Sequence, residues 1–277
     1  MLILGCVLGL CIGVVVGALG AGGGILSVPV LVYLLGIAPH NATASSLVIV
    51  GLTALVSLFS PGRSAYVKYR DGAVFGVLAI GGSVLGARTS EFVPADLLMY
   101  LFSGLLICVG IVMLRKGIRE CRVADCEERS EKSSGEKSSD GQKEGDEKSG
   151  SENSAKLSWW LVVTAALGTG VLTGFFGVGG GFIVVPMLML VLRMPMREAA
   201  STSLLIMVIT SISGLLARIG TSVTIDWAVI TAFAAASMIG GFAGGPLTAR
   251  VRPAVLTMCF GVLLLCVACA TAIATAL

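Results

Sequence analysis

Charge is scarce in this chain. Only 13% of its 277 residues are charged, 16 acidic and 19 basic. A soluble globular protein carries about 25%, so a surface of ordinary polarity facing water is excluded. Histidine occurs once, as His40, and it follows Pro39 in a short polar stretch, where a surface position is the simpler expectation than a titrating switch. With that histidine outside the apolar cores and no G-x-S-G-type elbow, the chain lacks the nucleophile and base an intramembrane enzyme needs. No Asp or Glu lies well inside an apolar run, which argues against a carboxylate proton relay across a membrane.

Cysteine is present, with 8 copies, but not as a disulfide framework. Cys6, Cys11, Cys108, Cys259, Cys266 and Cys269 lie in apolar runs, where cysteine behaves as a small hydrophobe. Cys266 and Cys269 form a C-x-x-C with no histidine or carboxylate near it in sequence, so no metal and no cofactor is expected. The first twenty residues lack the positive n-region of a secretory signal and read as a membrane helix.

What fills the chain is hydrophobic residues, 56% of the total, with a mean hydropathy of +0.96. A membrane crossing takes about 20 apolar residues, and such runs recur: Leu2–Leu19, Ile25–Leu35, Ala42–Phe59, Gly72–Ala87 and Leu97–Leu114, then Leu157–Phe176, Phe182–Leu192, Ala199–Ala217, Trp227–Leu247 and Ala254–Leu277. Between the two sets lies a Ser-, Gly-, Glu- and Lys-rich stretch with almost nothing to bury, expected to be a disordered spacer. The chain divides into a membrane repeat over 1–115, a charged linker over 116–156 and a second membrane repeat over 157–277. The lipid bilayer is its surroundings, and a net charge of +3 gives no reason to invoke nucleic acid.

The two sets match each other. At an offset of 157 residues, Gly13, Gly17, Gly20, Gly22, Gly23, Gly24, Pro29 and Leu31 meet Gly170, Gly174, Gly177, Gly179, Gly180, Gly181, Pro186 and Leu188. Ala44–Leu47 then meets Ser201–Leu204, and Pro94 parallels Pro253. With the linker taken as cytoplasmic, the inner loops hold Arg63, Lys68, Arg70, Arg115, Lys116, Arg119, Arg122, Arg193, Arg197, Arg250 and Arg252. The outer loops hold only Arg88 and Arg218, a strong positive-inside bias that puts both termini outside. Five runs is an odd number, so the second repeat enters from the opposite side. The expected fold is therefore an all-α polytopic membrane protein of two inverted-topology repeats, each a glycine-broken or re-entrant half-helix plus three further transmembrane helices.

The glycines explain themselves by position. Ile25–Leu35 spans 11 residues, about 16 Å as a helix at 1.5 Å per residue, or half the hydrocarbon thickness. Its glycine-rich start then falls near the midplane. Unpaired N–H groups there, with the positive end of the helix dipole, favour an anion, and glycine puts no side chain in the way. Gly22, Gly23, Gly24 and Ile25 in one half, and Gly179, Gly180, Gly181 and Phe182 in the other, are the candidate binding residues. Gly13/Gly17 and Gly170/Gly174, spaced by four, read as close helix packing instead.

The paired GxxGxGGG(x)4P(x)L motifs, each followed by Ser-Leu in the next helix, resemble the TauE/SafE sulfite exporter family over both halves. That resemblance implies an inner-membrane, multi-pass transporter of small sulfur-containing anions such as sulfite or sulfoacetate. Ser45, Ser46, Thr202 and Ser203 open the helices after the short ones, and their hydroxyls either donate to such an anion or bond between helices. Asn41 and Glu198 read as helix caps. Arg88, which breaks the charge bias, is a candidate for drawing anions to the outer mouth. An inside-negative potential drives anions outward, so export needs no coupling. Alternating access is the expected mechanism, an anion channel the alternative and an intramembrane enzyme the weakest reading. A homo-oligomer is left open.

Overall fold

In lipid every backbone N–H must bond within its own segment or its neighbours, and apolar runs of this length satisfy that rule as helices. Among the described residues of the computed structural model every regular element is a helix. These residues are 2–20, 24–34, 36–61, 66–134, 159–177, 179–218, 227–251 and 253–276. Gly22, Gly23, the His40 side chain and residues 135–156 of the linker lie outside them.

The order is α1 (Leu2–Leu19), α2 (Gly24–Pro29), α3 (Pro39–Leu58), α4 (Tyr69–Thr89), α5 (Ala95–Ser134), α6 (Trp159–Phe176), α7 (Gly181–Val191), α8 (Met196–Ala217), α9 (Trp227–Arg250) and α10 (Pro253–Ala276). Among the described residues five stretches are long and apolar enough to cross a membrane: Asn41–Leu58, Tyr69–Thr89, Leu97–Arg119, Met196–Ala217 and Pro253–Ile273. The protein is an all-α polytopic membrane protein. Its outward faces are apolar: Val77 is 61% exposed, Leu85 60% and Ile239 65%, while Ser46, Ser83, Thr173 and Thr202 are buried. Small hydroxyls inside and branched hydrocarbons outside suit a lipid solvent and not water.

The duplication is written into the backbone. Gly20, at φ 64°, and Gly177, at φ 63°, end α1 and α6 in the left-handed region. Their N–H groups close the same bond, to Val16 O at 2.8 Å and to Thr173 O at 2.9 Å. The short helices end alike too, through Ile37 N to Leu31 O at 3.0 Å and Met194 N to Leu188 O at 3.3 Å. One difference separates them. Pro29 has no N–H to offer the carbonyl of Ile25, and the chain after it widens into a π-turn over Val30–Leu34, whereas α7 runs on as α-helix past Pro186.

Packing exchanges the halves as well. Helix α1 lies on α9 and α4 on α6; α3 packs on α9 and α8 on α4; α2 packs on α3 and α7 on α8. The seams α1–α9 and α4–α6 run in parallel, because Gly13 faces Ser237 and Gly17 faces Gly241, while Gly170 faces Ala79 and Gly174 faces Ser83. A Cβ on any of these four glycines would fall within 2.2 Å of a carbonyl oxygen across the seam. Their expected role in close packing is what is seen. The equivalent helices α3 and α8 cross in opposite directions, with Leu47 beside Gly214 and Gly51 beside Ser211. Helices α5 and α10 do the same, Gly110 meeting Leu265 and Gly117 meeting Met258.

Two local expectations are corrected. Asn41 and Glu198 are not caps: the N-caps are Ala38 and Pro195, neither with a side-chain cap hydrogen bond. Pro39 and Met196 start the helices earlier, and Pro195 has no N–H for Glu198 to accept from. Glu198 instead pairs with Lys68 at 2.9 Å, tying the start of α8 to that of α4. Helix α5, expected to end near 115, continues to Ser134. Residues 118–134 contain neither Gly nor Pro and are rich in Glu and Arg, both good helix formers.

Candidate functional site

Each chain break is clasped by the third helix of the other half. Gly20 presses on Ala200 of α8, and Gly177 presses on Thr43 of α3. Ser203 Oγ donates to the Gly20 carbonyl at 2.7 Å and to the Ala200 carbonyl at 2.8 Å. Ser46 Oγ donates to the Gly177 carbonyl and to Thr43 O. A break leaves carbonyls that must find a donor away from water, and the serine about two turns into the opposing helix supplies it. Each hydroxyl has a single hydrogen, shared here between the break and a carbonyl of its own helix.

The other candidates divide by what they touch. Thr202 accepts from the Lys68 amide at 3.1 Å and meets Gly72 on α4, so it faces that helix and not a break. Ser45 is buried. The side chains of Ile25 and Phe182 belong to the apolar core, Phe182 standing edge-on to Phe102 at 5.9 Å. Only their main-chain groups are left for a ligand. Arg88 is exposed at the end of α4.

Helix α7 is held in place from its far end. Lys116 Nζ, near the end of the α5 span, donates to Met189 O at 3.0 Å, one of the carbonyls the last turn of α7 leaves over. From there 11 residues carry the chain about 16 Å inward. At the inner end Gly179 and Gly180 have φ of 70° and 75°, a conformation that favours glycine. A Cβ on Gly179 would lie 2.3 Å from Val50 Cγ1, and one on Gly180 would lie 2.2 Å from Thr173 Oγ1. The tip of α7 therefore sits tightly between α3 and α6, level with the middle of the α3–α8 crossing.

Two residues at this centre were not anticipated. Arg218 ends α8 and is buried, with hydrogen bonds to Thr43 Oγ1 at 3.1 Å, Ser90 Oγ at 3.3 Å and the Gly174 carbonyl at 3.4 Å. Its departure from the charge bias was the one available signal. Ser211, in the middle of α8, lines a groove of about 210 Å³ between α3 and α8. Its signal was a hydroxyl in the centre of an apolar run.

Among the described residues ten helices, in two halves that match and pack across one another, make a polytopic membrane protein. The chain belongs to the family described as sulfite exporter TauE/SafE, whose profile matches residues 5–271. It is similar to a "Probable membrane transporter protein" of Xylella fastidiosa (strain Temecula1), 28% identical over 93% of this chain and 89% of that one. It is also similar to the probable membrane transporter proteins YdhB and YunE of Bacillus subtilis. YdhB is 26% identical over 88% of this chain and 89% of that protein; YunE is 25% identical over 95% and 94%. No solved structure matches.

Proposed function

We propose that this transporter exports small sulfur-containing anions, sulfite or a small organosulfonate, by alternating access, and that it does so in the inner membrane with the linker cytoplasmic and both termini outside. The observation that carries the reading is the reciprocal clasp, Ser46 on the Gly177 break and Ser203 on the Gly20 break. The equivalent helices α3 and α8 cross in opposite directions, which supports reading the halves as inverted repeats. A tilt of one half against the other then loosens one break while tightening its counterpart. That is the motion alternating access needs. The anion meets the start of α7, where main-chain N–H groups and the helix dipole favour negative charge.

The test is transport by the purified protein in liposomes. Efflux of sulfite or a small sulfonate should saturate, and excess unlabelled substrate on the far side should drive counterflow of label. Gly181→Leu should abolish both while the protein stays monodisperse, since the new side chain covers the first amides of α7. Flux without counterflow would favour the channel reading, and absence of flux would reject both.

A further inference from the structure

We propose that the exposed face of α5 at the cytoplasmic membrane surface binds an anionic phospholipid, held by Arg115, Arg119 and Arg122. This rests on the inward placement of the linker proposed above, and not on what is transported. Arg115, Lys116, Arg119 and Arg122 put four basic residues within eight positions, at the end of the span Leu97–Arg119. Clusters of that density beside a crossing attract anionic headgroups.

The cations at this end of the molecule divide by what they touch. Lys68 pairs with Glu198 at 2.9 Å, Lys116 donates to Met189 O at 3.0 Å and Arg197 to Val251 O at 2.8 Å. Arg115, Arg119 and Arg122 are exposed, and among the described residues none of them makes a hydrogen bond or an ion pair. No acidic residue stands three or four positions from Arg115 or Arg119, so neither has an acidic partner along its own helix. Arg70 and Arg193 are exposed too, but singly and on other elements.

The three arginines continue a stripe that is hydrocarbon further in. Leu101, Ile107, Ile111 and Val112 are exposed along the span, and Ile118, 39% exposed, sits among the arginines. Ile111, Arg115, Ile118 and Arg122 are spaced four, three and four apart, which is one side of a helix. From Arg115 to Arg122 the helix rises about 10 Å, enough to cross a headgroup layer of about 5–8 Å per leaflet. A phospholipid has the same order, acyl chains below and a phosphate above, and a guanidinium fork suits phosphate oxygens. A soluble acidic partner would meet Ile118 with its charges. A second copy, paired about a two-fold axis along the membrane normal, would set each arginine against its own equivalent.

The site also reaches a chain break. Lys116, next to Arg115, is the residue that holds the end of α7 through Met189 O. A headgroup that fixes the level of α5 in the membrane fixes that lysine, and with it the depth of the α7 tip.

The full chain in neutral detergent, titrated with phosphatidylglycerol, tests the site. Its thermal midpoint should rise with that lipid, and not with phosphatidylcholine or water-soluble glycerophosphoglycerol. An arginine near an anionic surface contributes about fivefold in affinity. The double variant Arg115→Gln, Arg119→Gln should therefore need about 25-fold more lipid for half the shift. The charge-matched double Arg70→Gln, Arg193→Gln should stay close to the parent. Equal losses in the two doubles would mean diffuse attraction, and an equal shift with glycerophosphoglycerol would mean a site that needs no lipid; either result overturns the proposal. In liposomes, sulfite efflux should drop several-fold when phosphatidylcholine replaces phosphatidylglycerol, and the α5 double should show the lower rate in both. Efflux indifferent to the lipid would overturn the link through Lys116. No efflux in any lipid, with phosphatidylglycerol still bound, would sink the transport reading and leave this site standing.

Discussion

Arg193 has a φ of 52°, the one positive value on a non-glycine among the described residues, and its counterpart in the first half is Gly36 at φ 67°. The same left-handed cap therefore closes both short helices, with a Cβ in one and none in the other. A left-handed conformation costs an L-residue about 1–2 kcal/mol, part of which glycine gives back through its freer unfolded chain. Arg193→Gly should accordingly stabilise the protein by about 1 kcal/mol, seen as a higher thermal midpoint in detergent. An unchanged or lower midpoint would mean that the guanidinium at the membrane surface contributes more than the strain it sits on. The serines of the reciprocal clasp make the opposite case. Ser46→Ala or Ser203→Ala strips a buried carbonyl of a donor and should cost about 1–3 kcal/mol each.

Among the elements, the seams α1–α9 and α4–α6 depend on carbonyl oxygens lying where a side chain would begin. Gly170 and Gly168 are two residues apart on α6, yet a Cβ on Gly170 would stand 2.2 Å from Ala79 O while one on Gly168 meets nothing within 4 Å. Gly168→Ala should stabilise by about 0.5–1 kcal/mol through helix propensity alone. Gly170→Ala should force the seam apart, costing about 1–3 kcal/mol or more, read as lost monodisperse yield. The four-residue spacing of these glycines made the seam legible from sequence, and the short apolar runs made the broken helices legible by length. The extension of α5 to Ser134 was hidden by a composition that reads as solvated over the whole linker, though its first part lacks helix breakers. Arg218 and Ser211 were hidden for another reason. Arg218 reaches Thr43 across 175 residues and Ser90 across 128, and contacts at that separation leave no periodic trace in one sequence.

For the whole molecule the decisive quantity is the sign and size of the charge moved. No Asp or Glu lies well inside the apolar runs, so the anion export proposed above would proceed without a carboxylate relay and feel the membrane potential in full. Orientation comes first: in a background lacking the 8 native cysteines, maleimide applied to intact cells should label Glu91→Cys and not Asp140→Cys. The reverse pattern would turn the molecule over and put the linker outside. Energetics follows from a sulfonate probe, which stays singly charged across the working pH range. One charge falling through 100 mV releases about 2.3 kcal/mol, so uncoupled movement should settle at an outward concentration ratio of about fifty-fold. A potassium gradient with valinomycin sets that potential in liposomes, and the final ratio does not depend on which way individual proteins have inserted. A ratio near one at the same potential would require a compensating proton or cation to travel with each anion, and the uncoupled export derived from the missing carboxylates would then be wrong.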